Sequence, residues 1–272
     1  LKEIVEFSES GSTPYDVILS VESEPLGTGG AVANAIPMLT GTGPVIILNG
    51  DLISSVDVRA LLSQHQKTGA SATLSLWEVE DPSRFGVCDL DDSGMIRRFQ
   101  EKPERGTEFS NLINAGCSIV ERSILDSLPT GRFSMEREIF PGIAESGAMS
   151  GLVFQGYFVD AGTPPSFIQA ARECIQNNRF STGLREGNNW YGEGAKSQGV
   201  VENCSIGSGV IVSVGARLSD SVILDGAHIG EGVILKSCIV ARGAKVPANS
   251  VLSNEIIADS RYCLLYTSPS PR

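Results

Sequence analysis

The chain predicts an α/β domain, a mixed sheet with helices on both faces, followed by a parallel β-helix. Two observations carry this expectation. Between Tyr15 and Phe180 short aliphatic runs alternate with amphipathic stretches, the pattern of strands feeding helices in a layered sheet. Beyond residue 200 the aliphatics recur every six residues, the period of short strands and turns stacked in a solenoid.

Taken in order, Val17-Ile18-Leu19-Ser20-Val21 reads as a buried strand, and the glycines at 27, 29 and 30 open a helix over Ala31 to Leu39. Val45-Ile46-Ile47-Leu48 reads as a second buried strand ending at Asn49-Gly50-Asp51, because a sheet covered on both faces asks for continuous apolar strands. Val56 to Gly69 is then helical and Ala72 to Val79 a strand, while Asp91-Asp92-Ser93-Gly94 turns between two strands. Pro164 to Asn177 forms a helix with proline in its first turn. Residues 1–180 make the first domain. The Asn, Gly and Ser of 181–199 suggest a linker, 200–262 the β-helix, and 263–272 a tail foreign to the repeat.

Within the β-helix, Cys204 to Val212 matches Ala227 to Leu235 at an offset of 23 residues. Three six-residue steps and one of five account for it. Each aliphatic then stacks on one a coil below.

Composition narrows the function classes. The 272 residues carry a formal charge of −11, which disfavours partners that are polyanions, so neither nucleic acid nor an anionic membrane is expected. No apolar run reaches the ~20 residues of a membrane helix, and no signal peptide is visible. The six cysteines are too far apart for a zinc pair. They read as reduced thiols of a cytoplasmic protein.

Three clusters could carry chemistry. Glu24-Pro-Leu26-Gly27-Thr28-Gly29-Gly30 sits between a strand and a helix, where backbone N–H groups can approach an anion or a base edge. A plain turn has the same look. Asp51 and Asp160 each follow a strand and precede a helix; paired, they suit Mg²⁺, and singly each could simply cap its helix. Phe99-Gln-Glu101-Lys102-Pro103, Asn114-Ala-Gly116 and Ser134-Met-Glu136-Arg-Glu-Ile-Phe-Pro141 offer a cation for a phosphate and Glu and Asn for sugar hydroxyls.

The order of these motifs, with Arg84-Phe-Gly86-Val87 and Asp160-Ala-Gly-Thr-Pro164, resembles the sugar-1-phosphate nucleotidyltransferases, most of all the mannose-1-phosphate guanylyltransferases, from about Leu1 to Asp259. The resemblance implies a Rossmann-like nucleotidyltransferase sheet (glycosyltransferase-A-like) followed by a left-handed β-helix, with GTP and mannose 1-phosphate as substrates and Mg²⁺ as cofactor. It also implies roles. Asp51 and Asp160 would hold the metal and Lys102 would meet the sugar phosphate. Gly86, Glu101, Asn114 and Glu136 would hold the sugar, and Leu26, Gly27 and Thr28 would lie against guanine. Ala161 departs from the family's Ile or Met beside the metal ligand, a small change expected to be tolerated. Thymidylyl, uridylyl or adenylyl transfer to glucose 1-phosphate stays open within the class.

Two other classes compete. A non-catalytic paralogue would bind the nucleotide sugar and regulate a partner. A β-helix acyltransferase would need a histidine base, for which only His65 and His228 exist; His65 is expected on the polar side of its helix and His228 at a coil position, both structural or solvated. The β-helix is further expected to assemble a homo-oligomer.

The family's opening strand and Gly-x-Gly-Thr-Arg-Leu loop have no counterpart, and the sequence starts at Leu1, so an N-terminally truncated fragment is expected. Given GTP, mannose 1-phosphate and Mg²⁺, the 272-residue chain should form no GDP-mannose above background; measurable turnover in a coupled pyrophosphate assay would refute the truncation.

Overall fold

The computed structural model describes residues 16–180 and 182–258. Leu1, Cys263 and the tail expected at 263–272 lie outside the described residues. The elements of the first part are α1 (Gly27–Ala35), β1 (Val45–Leu48), β2 (Leu52–Ser54), α2 (Val58–Thr68), β3 (Ala72–Glu78), β4 (Gly86–Leu90), β5 (Ile96–Glu101) and β6 (Leu112–Val120). They continue with α3 (Arg122–Leu125), one turn of π-helix over Met135–Ile139, α4 (Phe140–Glu145), β7 (Met149–Val153), β8 (Phe158–Asp160) and α5 (Pro164–Gln176). Two compact units result: Gly50 ends the first run of one unit, which resumes over Ser55–Gly156, and Asp51–Ser54 joins the other, which resumes at Tyr157.

The first unit is built on a six-stranded mixed sheet ordered β5-β4-β6-β3-β7, with β1 beside β6. Only β3 and β7 run parallel among these pairs. Alternation along β3 sorts its side chains. Ala72, Leu74 and Leu76 enter the main core with Phe140, Ile143 and Ala144 of α4, while Thr73 points to the α2 side and meets His65. α2 is set by its ends: Asp57 accepts the N–H groups of Arg59 and Ala60, and Gly69 closes it at φ +62°.

Two expectations need correction. No strand forms over Val17–Val21; with no partner strand among the described residues, Ile18 and Val21 stay 64% and 59% exposed. β1 exists but is not covered on both faces. Along β1 the side chains alternate, and one face is bare: Ile46 and Leu48 are 44% and 62% exposed; among the described strands β1 pairs only with β6.

The second unit joins the β2–β8 ladder and α5 to a parallel β-solenoid of three sheets. Its inner rows are Ile206, Ile223, Val240 and Ile257; Val212, Ile229 and Val246; and Val201, Leu218, Leu235 and Leu252. The coil is therefore 17 residues, as in the bond from Cys238 N–H to Ser221 Oγ one coil away. The 23-residue match in the sequence spans one coil and one further face, so it aligns strands of different sheets and not stacked ones. Where a linker was expected, Leu184–Glu186, Asn189–Tyr191 and Lys196–Ser197 already belong to the solenoid sheets, Tyr191 lying under Ile206 and Ser197 beside Val212. The polar composition there is that of corners. Asn203, Asp220, Ser237 and Asn254 recur at one such corner with φ of 51–57°, a backbone region that favours small polar residues and glycine.

Ile223 is 1% exposed between Ile206 and Val240. Ile223→Ala should cost the solenoid about 2–4 kcal/mol in urea denaturation followed by circular dichroism. A loss well under 1 kcal/mol would mean that the inner rows do not carry its stability.

Candidate functional site

The site of the first unit begins with an irregularity in β6. Its pairing with β3 slips between Leu74 and Leu76, opposite Gly116, which takes φ +67°. β6 thus carries two residues more than β3 over this stretch, a bulge of the kind that interrupts a ladder beside binding sites. The released groups are recaptured: Gly116 N–H donates to Asn114 Oδ1 at 3.2 Å, Cys117 N–H to Ser75 Oγ at 3.2 Å, and Asn49 N–H to Gly116 O at 2.9 Å. A cavity of about 220 Å³ opens there, walled by Asn114, Gly116, Asn49, Ile47, Thr28, Glu136 and Phe140 among others.

The glycine-rich turn forms another wall. Phe133 N–H donates to Leu26 O, and Phe133 O accepts from the N–H groups of Gly29 and Gly30. A Cβ at Gly27 would lie 2.6 Å from Phe133 O, and one at Gly29 2.2 Å from the Phe133 ring. These glycines are thus required by close packing on the 131–134 segment as well as by any ligand. Phe133 was not legible beforehand, because a glycine in a chain permits a close approach without saying what approaches. Leu26 N–H is held by Glu22 Oε2 at 2.9 Å. Thr28 donates its hydroxyl to Glu136 Oε2 at 2.5 Å, and Ser134 Oγ donates to the same oxygen at 2.8 Å. Ser134, quoted above without a role, also accepts Arg137 N–H and starts the π turn.

Glu101 ends β5 opposite Gly86. A Cβ at Gly86 would sit 2.6 Å from the Phe99 ring and 3.0 Å from Glu101 Oε2, so glycine lets the carboxylate lie against the neighbouring strand. Glu101 is 14% exposed and pairs with Lys102 Nζ at 3.6 Å. Burial pushes its carboxyl above the usual range; Lys102 opposes this and Glu136 reinforces it. Lys102 holds φ +46° while its N–H donates to Phe85 O, a backbone conformation that lysine seldom adopts.

The two aspartates meet in the second unit. β2 and β8 are antiparallel with Leu52 opposite Asp160, and Ala161 N–H donates to Asp51 O at 2.8 Å. Asp160 Oδ1 accepts Gly162 N–H at 2.8 Å, after which Thr163 and Ser166 form a capping box at the start of α5. Among the described residues no group of three or more His, Cys, Asp or Glu could cage a metal. Two aspartates on paired strand ends are donors of the kind that suit a hard divalent cation whose other positions go to water and phosphate.

His65 is corrected. It is 2% exposed, not on a solvated face, with Nδ1 on Thr73 Oγ1 at 2.7 Å and Nε2 on Glu121 Oε1 at 3.0 Å. Thr73 continues to Ser150 Oγ, so a buried polar chain under α2 drew the ring inward. His228 lies exposed on the solenoid.

Comparison with known proteins gives this geometry a family. Residues 3–177 match the family described as nucleotidyl transferase, and 192–268 the GlmU-like C-terminal hexapeptide family. The chain belongs to the nucleotidyl transferase family. It is 33% identical over 251 residues to the mannose-1-phosphate guanylyltransferase of Mycobacterium tuberculosis, covering 91% of this chain and 66% of that protein. It is 37% identical over 242 residues to the catalytic subunit beta of the same enzyme in Danio rerio, with 85% and 67% covered. A probable mannose-1-phosphate guanylyltransferase 3 of Oryza sativa subsp. japonica is 33% identical, with 89% and 65% covered. The chain thus spans about 65% of the length of the first curated relatives it matches. The crystal structure of HddC from Yersinia pseudotuberculosis complexed with GMP-PN superposes at a TM-score of 0.51 and 28% identity, over 62% of this chain and 72% of that one. Nucleotidyl transferases generally use a divalent metal. No helix among the described residues is long and apolar enough to cross a membrane.

Because folding raises Glu101's pKa from 4.5, its protonated form is the one the fold favours. That contribution is complete below pH 4.5 and is lost as pH rises through the folded-state value. Glu101→Gln should therefore leave stability unchanged at pH 4 and raise it at pH 7 in thermal unfolding. The opposite sign at pH 7 would show that Lys102 dominates.

Proposed function

We propose that the protein transfers a guanylyl group from GTP to mannose 1-phosphate, releasing pyrophosphate and forming GDP-mannose. One observation carries the reading: the bulge at Gly116 gathers Asn114, Glu136 and the glycine-rich turn, three separated motifs, around one cavity. The printed names of the relatives support the sugar and the base.

In this reading Asn114 and Glu136 bind the sugar hydroxyls, with Glu101 and the backbone of Gly86 beside them. Lys102 pairs with the sugar phosphate, while Leu26, Gly27 and the backbone at Thr28 lie against guanine. A sugar-phosphate oxygen attacks the α-phosphorus and the pyrophosphate oxygen leaves, with no covalent enzyme intermediate. The chain's work is to align the two substrates. Asp51 and Asp160 are the residues that would hold Mg²⁺, which when bound offsets the charge on the phosphoryl oxygens. The solenoid serves assembly of a homo-oligomer, and the free cysteines among the described residues suit a cytoplasmic protein.

Asp160→Asn and Asp51→Asn should each weaken binding of Mn²⁺, a probe for Mg²⁺, by at least about tenfold in electron paramagnetic resonance titrations with GDP-mannose present. Unchanged affinity in both variants would remove the metal assignment and favour a nucleotide-sugar sensor. Turnover of the complete gene product with GTP, dTTP, UTP and ATP fixes the base. A preference for any nucleotide other than GTP would overturn guanylyl transfer.

A further inference from the structure

The geometry points to Thr28 as a positioning residue for the sugar: its side chain serves the sugar side of the cavity and not the base. This rests on the sugar reading above and deepens it. A threonine hydroxyl has one proton and two lone pairs. Here the proton goes to Glu136 Oε2 at 2.5 Å, and one lone pair receives Met135 N–H at 3.1 Å. The hydroxyl therefore cannot donate to a base while it holds Glu136.

Ser134 Oγ, also on Oε2 at 2.8 Å, completes a two-donor cradle, which leaves Oε1 as the acceptor for a sugar hydroxyl. Hydrogen bonds from two hydroxyls to one carboxylate oxygen fix its orientation before any ligand arrives. The surroundings show why such a tether is needed. Met135 and Phe140 are buried and anchor the π turn's backbone, but without the two hydroxyls nothing in that anchoring would hold the Glu136 side chain, which stands near the like-charged Glu101 and pushes its carboxyl up. Untethered, Glu136 gains both entropy and charge separation by swinging away. Because Thr28 lies in the first turn of α1, the turn assigned to the nucleotide and the pocket assigned to the sugar are joined by one hydrogen bond.

The test compares GDP-mannose with GDP, two probes that share the nucleotide and differ in the mannosyl group on the terminal phosphate, by calorimetry on the purified protein with Mg²⁺. Thr28→Val should weaken GDP-mannose about tenfold and GDP by less than about twofold, the loss expected for a hydrogen bond to a charged group. Thr28→Ser, which keeps the hydroxyl, should restore the sugar's contribution. In a Glu136→Ala background Thr28→Val should cost nothing more, since the two act as one unit. Equal losses for both ligands, no loss for either, or a full further loss in the Glu136→Ala background would overturn the inference alone. A wild-type protein that binds GDP-mannose no better than GDP would remove the sugar reading and this inference with it.

Discussion

The register slip between β3 and β6 is the constraint on which the site depends. From Asn114 to Ser118 β6 takes four steps where β3 takes two, from Leu76 to Leu74, so Asn114, Gly116 and Ser118 share the cavity face while Cys117 stays with Ile119 on the other. The two extra residues of β6 cost ladder hydrogen bonds, which Asn114, Ser75 and Asn49 replace with side-chain and cross-strand partners. That replacement ties Asn49, at the end of β1, to the carbonyl of Gly116. The cavity is then framed by two strand ends and closed by the Thr28–Glu136 pair across it.

Much of this was legible because sequence pattern and physical cause coincide. β1, α2, β3 and α5 follow from aliphatic runs, an Asp cap, a Gly stop and a proline first turn, each of which acts locally. The six-residue aliphatic period likewise records the solenoid, since each inner position must fit a stack. What failed was non-local. Val17–Val21 has the composition of a buried strand, yet burial needs a neighbour that composition cannot supply. The solenoid's true repeat of 17 was hidden behind a stronger match at 23, because the shared Ile-Gly of Ile206-Gly207 and Ile229-Gly230 marks equivalent strand ends on two different faces, not stacked positions. Its first coil was hidden by corner residues that resemble a linker.

The same limit governs the site. Glu101, Asn114 and Glu136 were visible as residue types suited to sugar hydroxyls, and family resemblance ordered them. The partners that orient them were not visible: Phe133 clamping the glycines, Ser134 and Thr28 on one oxygen of Glu136, and Phe99 and Gly86 shaping the bed of Glu101. Each of these contacts joins segments far apart in sequence. Asp51 and Asp160 are backbone neighbours because β2 and β8 pair at their ends, independently of the cavity.

The account is tested most directly by a crystal structure of the protein with GDP-mannose and Mn²⁺. It predicts the mannose ring in the cavity beside Gly116, its hydroxyls on Asn114 and Glu136, and an anomalous manganese peak at Asp51 and Asp160. A mannose ring bound away from Asn114 and Glu136, with the cavity filled only by water, would contradict it.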